Sequence, residues 1–220
     1  MIVYDFEVFR YDWLVVFKTL SDQKYTIIHN NRNELEEFYN KNKNNLFVGY
    51  NNKHYDDLIL KGILSKADPY VISKLILSGE SQYRIMKALK IENININSFD
   101  LMQDIKGLSL KEVEAYLEMS IEESDVDFEI DRPLTKEEIE ETIKYCKHDV
   151  DATEQFLVKI RTPYLRSKLE IARLFNLPKN ILNRTSADLV SMVLDAKRVS
   201  RDDELKYDLP PELILNKPEY

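Results

Sequence analysis

The chain has 220 residues, of which 44% are hydrophobic, so it is long enough to bury one sizeable core. Its single cysteine excludes an intramolecular disulfide, and neither a secretory signal pattern nor an apolar run of about 20 residues occurs, which predicts a cytoplasmic protein without a membrane-spanning segment. The net charge of −8 is uneven: residues 1–158 hold 19 basic and 30 acidic side chains, whereas residues 159–220 hold 12 and 9. An acidic cation site beside a more basic C-terminal flank would explain this distribution, although acidity is also common in ordinary enzymes.

Three β-strands in a meander are predicted at the N-terminus. The segments Met1–Val8, Trp13–Phe17 and Tyr25–Ile28 are rich in β-branched and aromatic residues, and short polar breaks separate them. A helix is predicted next, over Glu34–Tyr39, because its apolar residues have helical spacing and Asn33 is a typical N-cap residue.

A second group of elements alternates between strand and helix. Leu46–Tyr50 predicts a short strand that ends at an Asn-rich loop, and the apolar spacing from Tyr55 onward predicts a helix. Residues 68–90 predict two further helical stretches. The alternation of apolar and polar residues over Ile94–Phe99 then predicts a fifth strand, ending just before Asp100.

Two capping boxes predict helices in the C-terminal half. Ser109 and Glu112 open one helix, and Thr135 and Glu138 open a long one that extends toward Ile160. Only helical or irregular patterns follow. Strands first and then strand–helix alternation predict an α/β protein with a mixed five-stranded sheet, helices on its faces and a C-terminal helical extension.

The first candidate site is the pair Asp5 and Glu7. Residues two apart on a strand point to the same side, so both carboxylates project together from an otherwise apolar strand. Burying such a pair is costly unless a cation compensates it, which favours a metal site. A solvent-facing polar edge is the alternative.

Asp56 is the second candidate, at the point where a strand passes into a helix. That position combines a favourable helix dipole with the carboxyl edge of the sheet, where α/β proteins often place their sites. Simple helix capping is an equally good interpretation of this residue alone.

The third candidate is the pair Tyr145 and Asp149, which share a helix face because they are four residues apart. A buried tyrosine beside an unrelated acid is the alternative. We interpret Cys146 as a core residue, and His29 and His54 as loop residues without the spacing of a zinc site.

Together, these segments resemble the three motifs of the DEDD exonuclease superfamily. The matching residues are Asp5-x-Glu7, Asn52-Lys-His-Tyr55-Asp56 and Tyr145-x-x-x-Asp149. The third motif resembles the tyrosine branch, since Lys144 stands where the histidine branch has its histidine. Residues 49–60 and 144–153 are similar to the proofreading exonuclease domains of phage and bacterial DNA polymerases.

The resemblance implies a ribonuclease-H-like exonuclease domain over residues 1–162. Residues 163–220 would be a helical extension or a linker toward a polymerase domain. The implied activity is 3′–5′ hydrolysis of single-stranded DNA ends to nucleoside 5′-monophosphates, in the proofreading of phage-type replication. A DNA polymerase domain or subunit is the implied partner, in a bacterial or phage-infected cytoplasm.

The resemblance also implies roles for individual residues. Two Mg²⁺ or Mn²⁺ ions would be held by four carboxylates, those of Asp5, Glu7, Asp56 and Asp149. Tyr145 would orient the attacking water as a further catalytic residue. Substrate contacts are implied for three residues, Phe6, Asn52 and Tyr55.

Two other functions remain open at this point. One is a ribonuclease-D-like RNA 3′-processing exonuclease, because the carboxylates do not distinguish ribose from deoxyribose. The other is a catalytically silent ribonuclease-H-like module that binds nucleic acid. Basic residues of the C-terminal part would form a strand-guiding surface or a solvated helix pair; they are Arg161, Arg166, Lys168, Arg173, Arg184, Lys197 and Arg198.

Overall fold

Five strands form one mixed sheet in the computed structural model, which describes residues 1–103, 105, 107–177, 181 and 184–196. The strands are β1 Ile2–Val8, β2 Trp13–Thr19, β3 Lys24–His29, β4 Phe47–Gly49 and β5 Ser98–Asp100. Their spatial order is β3-β2-β1-β4-β5; β2 is antiparallel to both β1 and β3, and β4 and β5 run parallel to β1. The predicted α/β class and mixed five-stranded sheet are confirmed.

Helices flank this sheet. They are α1 Arg32–Asn42, α2 Asp56–Leu64, α3 Pro69–Leu77, α4 Gln82–Leu89, α5 Leu110–Tyr116, α6 Lys136–Phe156, α7 Thr162–Leu174 and α8 Ser186–Val193. A π-helical turn, Leu157–Arg161, joins α6 to α7, so the backbone stays helical across the predicted boundary at residue 162. None of the helices in the described part of the chain is long and apolar enough to cross a bilayer.

The central strand β1 has a different apolar core on each face. Its even-numbered residues, such as Tyr4 and Phe6, pack in the core that includes Leu58 and Ile59 of α2. On the opposite face, Val3 packs in the core that includes α6 residues such as Cys146 and Val150. Because side chains alternate along a strand, Asp5 and Glu7 lie on the α6 face.

Two predicted boundaries are wrong, and both capping boxes are confirmed. The N-cap of α1 is Asn31, whose side chain accepts a hydrogen bond from the Glu34 backbone N–H at 3.2 Å, whereas Asn33 lies inside the helix. The fifth strand covers Ser98–Asp100 and not Ile94–Phe99. Among the described residues β5 pairs with β4 alone, which has three residues, and residues 91–97 before it have no regular secondary structure.

Candidate metal centre

Strand β1 presents two carboxylates, Asp5 and Glu7, to the face covered by α6. Glu7 is only 8% exposed, and Asp5 is partly exposed. Cys146 lies beside them on α6, and one ligand atom from each of the three side chains lies within 4.8 Å of the other two. The predicted shared orientation of Asp5 and Glu7 is therefore present, inside the protein rather than on a solvated edge.

Asp56 approaches β1 from α2, which packs on the face of the sheet opposite α6. It is the first residue of α2 and is 3% exposed, and its Oδ1 accepts a hydrogen bond from the Phe6 backbone N–H at 3.0 Å. Tyr55 occupies the N-cap position and makes no side-chain capping bond. The carboxylate of Asp56 is thus directed at the segment between Asp5 and Glu7.

Helix α6 supplies Tyr145 and Asp149, and a lysine that the sequence did not single out joins them. Lys111 Nζ donates to Asp149 Oδ1 at 2.8 Å and to Glu114 Oε1 at 3.2 Å, and it lies 4.7 Å from the ring centroid of Tyr145. Nothing in the local sequence distinguishes Lys111 from other lysines on amphipathic helices. Its importance follows from the packing of α5 on α6.

Burial and mutual charge raise the pKa values of three neighbouring acids, Asp5, Glu7 and Asp56; with Asp149, we call them the carboxylate centre. Burial raises the pKa of Asp5 to about 8, and the charge of Asp149 adds to the rise. Burial also raises the pKa of Glu7 well above its usual value, with further contributions from the other three acids. For Asp56, burial and then the charge of Asp5 raise the pKa.

The donor set of the carboxylate centre fits divalent cations. Within the described part of the chain, the Glu7 carboxylate forms no hydrogen bond or salt bridge, although it is more than nine-tenths buried. The Glu7 oxygens keep some contact with solvent, and a bound cation would replace water as their partner. Carboxylate oxygens are hard ligands, which suit Mg²⁺ or Mn²⁺.

The three residues predicted to contact substrate are largely interior. Phe6 is 3% exposed and Asn52 is fully buried, with its amide nitrogen donating to Asp57 Oδ1 at 3.3 Å. Tyr55 is partly buried and shares a 2.7 Å hydrogen bond with Ser73. In this arrangement Phe6 and Asn52 have almost no surface for a substrate to contact, so their substrate-binding role stays a prediction that requires rearrangement.

A cavity of about 380 Å³ adjoins the loop that leads into Asp56; it is lined by Asn51, Lys53, His54, Asp100, Met102, Gln103 and Ile105. The buried Asp100 carboxylate holds this loop by accepting hydrogen bonds from the backbone N–H groups of Asn51 at 2.9 Å and Lys53 at 3.3 Å. Sequence reasoning did not identify this cavity, because its walls come from the loop after β4 and the segment after β5.

The predicted basic surface of the C-terminal part divides into two kinds of residue. Arg161 and Lys168 are 6% and 2% exposed, and their cationic groups lie 4.3 and 4.8 Å from the ring centroid of Tyr164. Arg166 and Arg173 are exposed, as is Arg184. Lys197 and Arg198 lie outside the described residues. Neither Arg161 nor Lys168 therefore belongs to a solvated surface.

Comparisons of the chain with protein-family models, with curated proteins and with solved structures find no significant match. The functional interpretation therefore depends on the residues of the chain itself. The four acids of the carboxylate centre come from β1, the start of α2 and the middle of α6; Asp5 and Glu7 offer ligand atoms within 4.8 Å of each other, and α2 and α6 both pack against β1.

Proposed function

We propose that this chain is a metal-dependent 3′–5′ exonuclease of the tyrosine branch of the DEDD superfamily, acting on single-stranded DNA ends. The observation that carries the proposal is the placement of four acids around β1: Asp5 and Glu7 share one face of the strand, Asp56 accepts a hydrogen bond from the Phe6 N–H between them, and Asp149 lies on α6, which packs against β1. Tyr145 stands beside Asp149 at the edge of this centre. Several carboxylates in one site, with too few hydrogen-bond donors to balance their charges, are typical of metal-dependent phosphodiester hydrolysis.

The topology supports the same proposal. The strand order and directions, with an antiparallel β1–β2–β3 meander and β4 and β5 parallel to β1, are compatible with a ribonuclease-H-like fold. Association with a DNA polymerase domain or subunit, proofreading in phage-type replication and a cytoplasmic location are parts of the proposal that follow from the motif resemblance.

The residues of the chain would divide the work as follows. Mg²⁺ or Mn²⁺ ions held by the carboxylate centre would activate water and neutralise charge on the phosphate and the leaving oxygen. Burial and the charge of Asp149 raise the pKa of Tyr145, so its phenol stays protonated at neutral pH. The hydroxyl is therefore suited to orient the attacking water by a hydrogen bond and not to act as a base. Lys111 would hold the Asp149 carboxylate in place.

Digestion of a 5′-labelled single-stranded DNA oligomer tests the proposal. We expect a ladder that shortens from the 3′ end, release of nucleoside 5′-monophosphates, and no digestion in a chelator. Glu7→Gln should abolish the ladder, whereas Glu37→Gln, an exposed acid on α1, should not.

A matched RNA oligomer separates the proposed activity from RNA processing, and a strand-binding assay separates it from a silent module. Faster digestion of RNA than of DNA would favour the RNA-processing alternative. Strand binding without cleavage under any divalent cation would favour the binding module and refute the nuclease.

A further inference from the structure

We infer that Cys146, together with Asp5 and Glu7, forms a second cation-binding mode of this site, selective for thiophilic ions such as Zn²⁺ and Cd²⁺. An ion bound in this mode would occupy Asp5 and Glu7 and so inhibit the nuclease; this consequence, unlike the binding itself, rests on the proposed function.

The positions of the donor atoms suit a tetrahedral cation. Cys146 Sγ lies 3.5 Å from Asp5 Oδ2, and one ligand atom each of Asp5, Glu7 and Cys146 lies within 4.8 Å of the other two. In tetrahedral zinc sites, with metal–sulfur bonds of about 2.3 Å and metal–oxygen bonds of about 2.0 Å, neighbouring sulfur and oxygen ligands are about 3.5 Å apart. The three side chains therefore need little movement to become ligands.

The Glu7 side chain independently points to a ligand at this position. Glu7 is only 8% exposed, and it has no hydrogen-bond or salt-bridge partner among the residues that the structure describes. One of its carboxylate oxygens lies within 4.8 Å of a ligand atom of Asp5 and of Cys146. Asp5 is partly exposed, whereas Cys146 is buried.

Ligand chemistry separates the two modes. A thiolate is a soft ligand that favours Zn²⁺ and Cd²⁺, whereas Mg²⁺ and Mn²⁺ prefer oxygen and would leave the thiol of Cys146 protonated. When a thiophilic ion binds, the Sγ–H bond breaks, an Sγ–metal bond forms and the proton passes to solvent. The hydrogen bond from Cys146 to Asp5 Oδ2 is replaced by a shared cation, and no oxidation is involved.

Cadmium titration of the chelator-treated full chain tests the inference without any nuclease assay. Because the chain has a single cysteine, any thiolate-to-cadmium charge-transfer absorption in the near ultraviolet must come from Cys146. We expect this absorption in the wild type and its loss in Cys146→Ser, with a fall in cadmium affinity of at least about tenfold. Glu7→Gln should weaken cadmium binding, and Glu37→Gln should leave it unchanged.

A second experiment measures how strongly Cd²⁺ inhibits DNA digestion by each variant, relative to the rate of that variant without Cd²⁺. Cd²⁺ should suppress Mg²⁺-supported DNA digestion by the wild type at concentrations that leave Cys146→Ser much less affected. Cys146→Ala and circular dichroism control for a folding defect of the serine variant. If both Cys146 variants unfold, the comparison of cadmium binding by the wild type and Glu7→Gln still tests the inference.

Three results would overturn the inference: no charge-transfer absorption in the wild type, equal cadmium affinity in the wild type and Cys146→Ser, or an absorption whose affinity is unchanged in Glu7→Gln. Failure of the proposed nuclease is distinguishable from these results. A chain that digests no nucleic acid but shows the absorption refutes the nuclease alone, and a Mg²⁺-dependent nuclease without the absorption refutes the thiophilic mode alone.

Discussion

Asp56 and Asp57 are adjacent in the chain and both are buried, yet they belong to two very different polar regions. Asp57 accepts hydrogen bonds from Tyr4 Oη, from Ser98 Oγ at 2.5 Å and from Asn52 Nδ2 at 3.3 Å. We call these four residues, Tyr4, Asn52, Asp57 and Ser98, the Asp57 cluster. The Asp57 carboxylate accepts from neutral donors on β1, on β5 and in the loop after β4. These hydrogen bonds tie the three segments together.

The carboxylate centre has fewer donors for more acids: Lys111 donates to Asp149 and Cys146 to Asp5, and the other two acids have no side-chain donor among the described residues. Asp56 accepts hydrogen bonds only from backbone N–H groups, those of Phe6 and of Asp56 itself, and it faces the like charges of Asp5 and Asp57; Glu7 forms no hydrogen bond or salt bridge within the described residues. A buried acid that is satisfied by donors supports the fold, whereas acids that repel one another reduce its stability. The contrast indicates which acids serve a ligand and which serve the structure.

The largest expected effect is the loss of activity when the carboxylate centre is incomplete. Asp5→Ala and Asp149→Ala should each reduce DNA digestion by at least about a thousandfold, or ~4 kcal/mol in the barrier, because a cation ligand is removed. Above about pH 8, where Asp5 is ionised, the metal-free Asp5→Ala protein should be no less stable than the wild type, because repulsion is relieved. Digestion rates and urea unfolding measure both effects, with Glu37→Ala as the control. Wild-type digestion rates in both variants would end the assignment.

The Asp57 cluster should show the reverse pattern. Asp57→Ala leaves the buried hydroxyls of Tyr4 and Ser98 without their acceptor, so the free energy of unfolding should fall by about 2–4 kcal/mol. Urea unfolding of the metal-free proteins provides the comparison. If Asp57→Ala were no less stable than Asp5→Ala, the distinction between the two regions would be lost.

Lys111 connects the carboxylate centre to the protein around it, so its removal should have an intermediate effect. Lys111→Met should lower the rate of digestion by about 10- to 100-fold and raise the Mn²⁺ concentration needed, because Asp149 loses the donor that orients it. Lys111→Arg should restore part of the activity. Lys144→Met, at an exposed lysine of the same region of α6, serves as the control. Equal Mn²⁺ dependence in Lys111→Met and the wild type would show that Lys111 does not orient a ligand.

The effect of pH on stability should be gradual. The folded pKa of Asp5 is about 8, above its value in the unfolded chain, so the metal-free folded state binds more protons than the unfolded state between about pH 4 and about pH 8. Its stability should therefore fall as pH rises through this window, with a slope below ~1.4 kcal/mol per pH unit from this one group. Asp5→Asn should flatten the slope. A wild-type stability that rises with pH across the window, measured by urea unfolding in a chelator, would contradict the expected burial of Asp5.

Local patterns determined the elements whose hydrogen bonds are local. The capping boxes at Ser109 and Thr135 were predicted correctly because each is completed within four residues. Alternation along β1 likewise placed Asp5 and Glu7 on one side. The fifth strand was predicted too early, because strand pairing depends on a partner 50 residues away, and that partner, β4, is short.

By itself, the sequence determined the class of the fold and the residue types of the carboxylate centre, because strand alternation and helical spacing are properties of neighbouring residues. Only the tertiary structure decided which donors surround each acid. Lys111 approaches Asp149 across 38 residues, and Cys146 approaches Asp5 across 141. Such contacts depend on how α5 and α6 pack against the sheet, and no spacing along the chain encodes that packing directly.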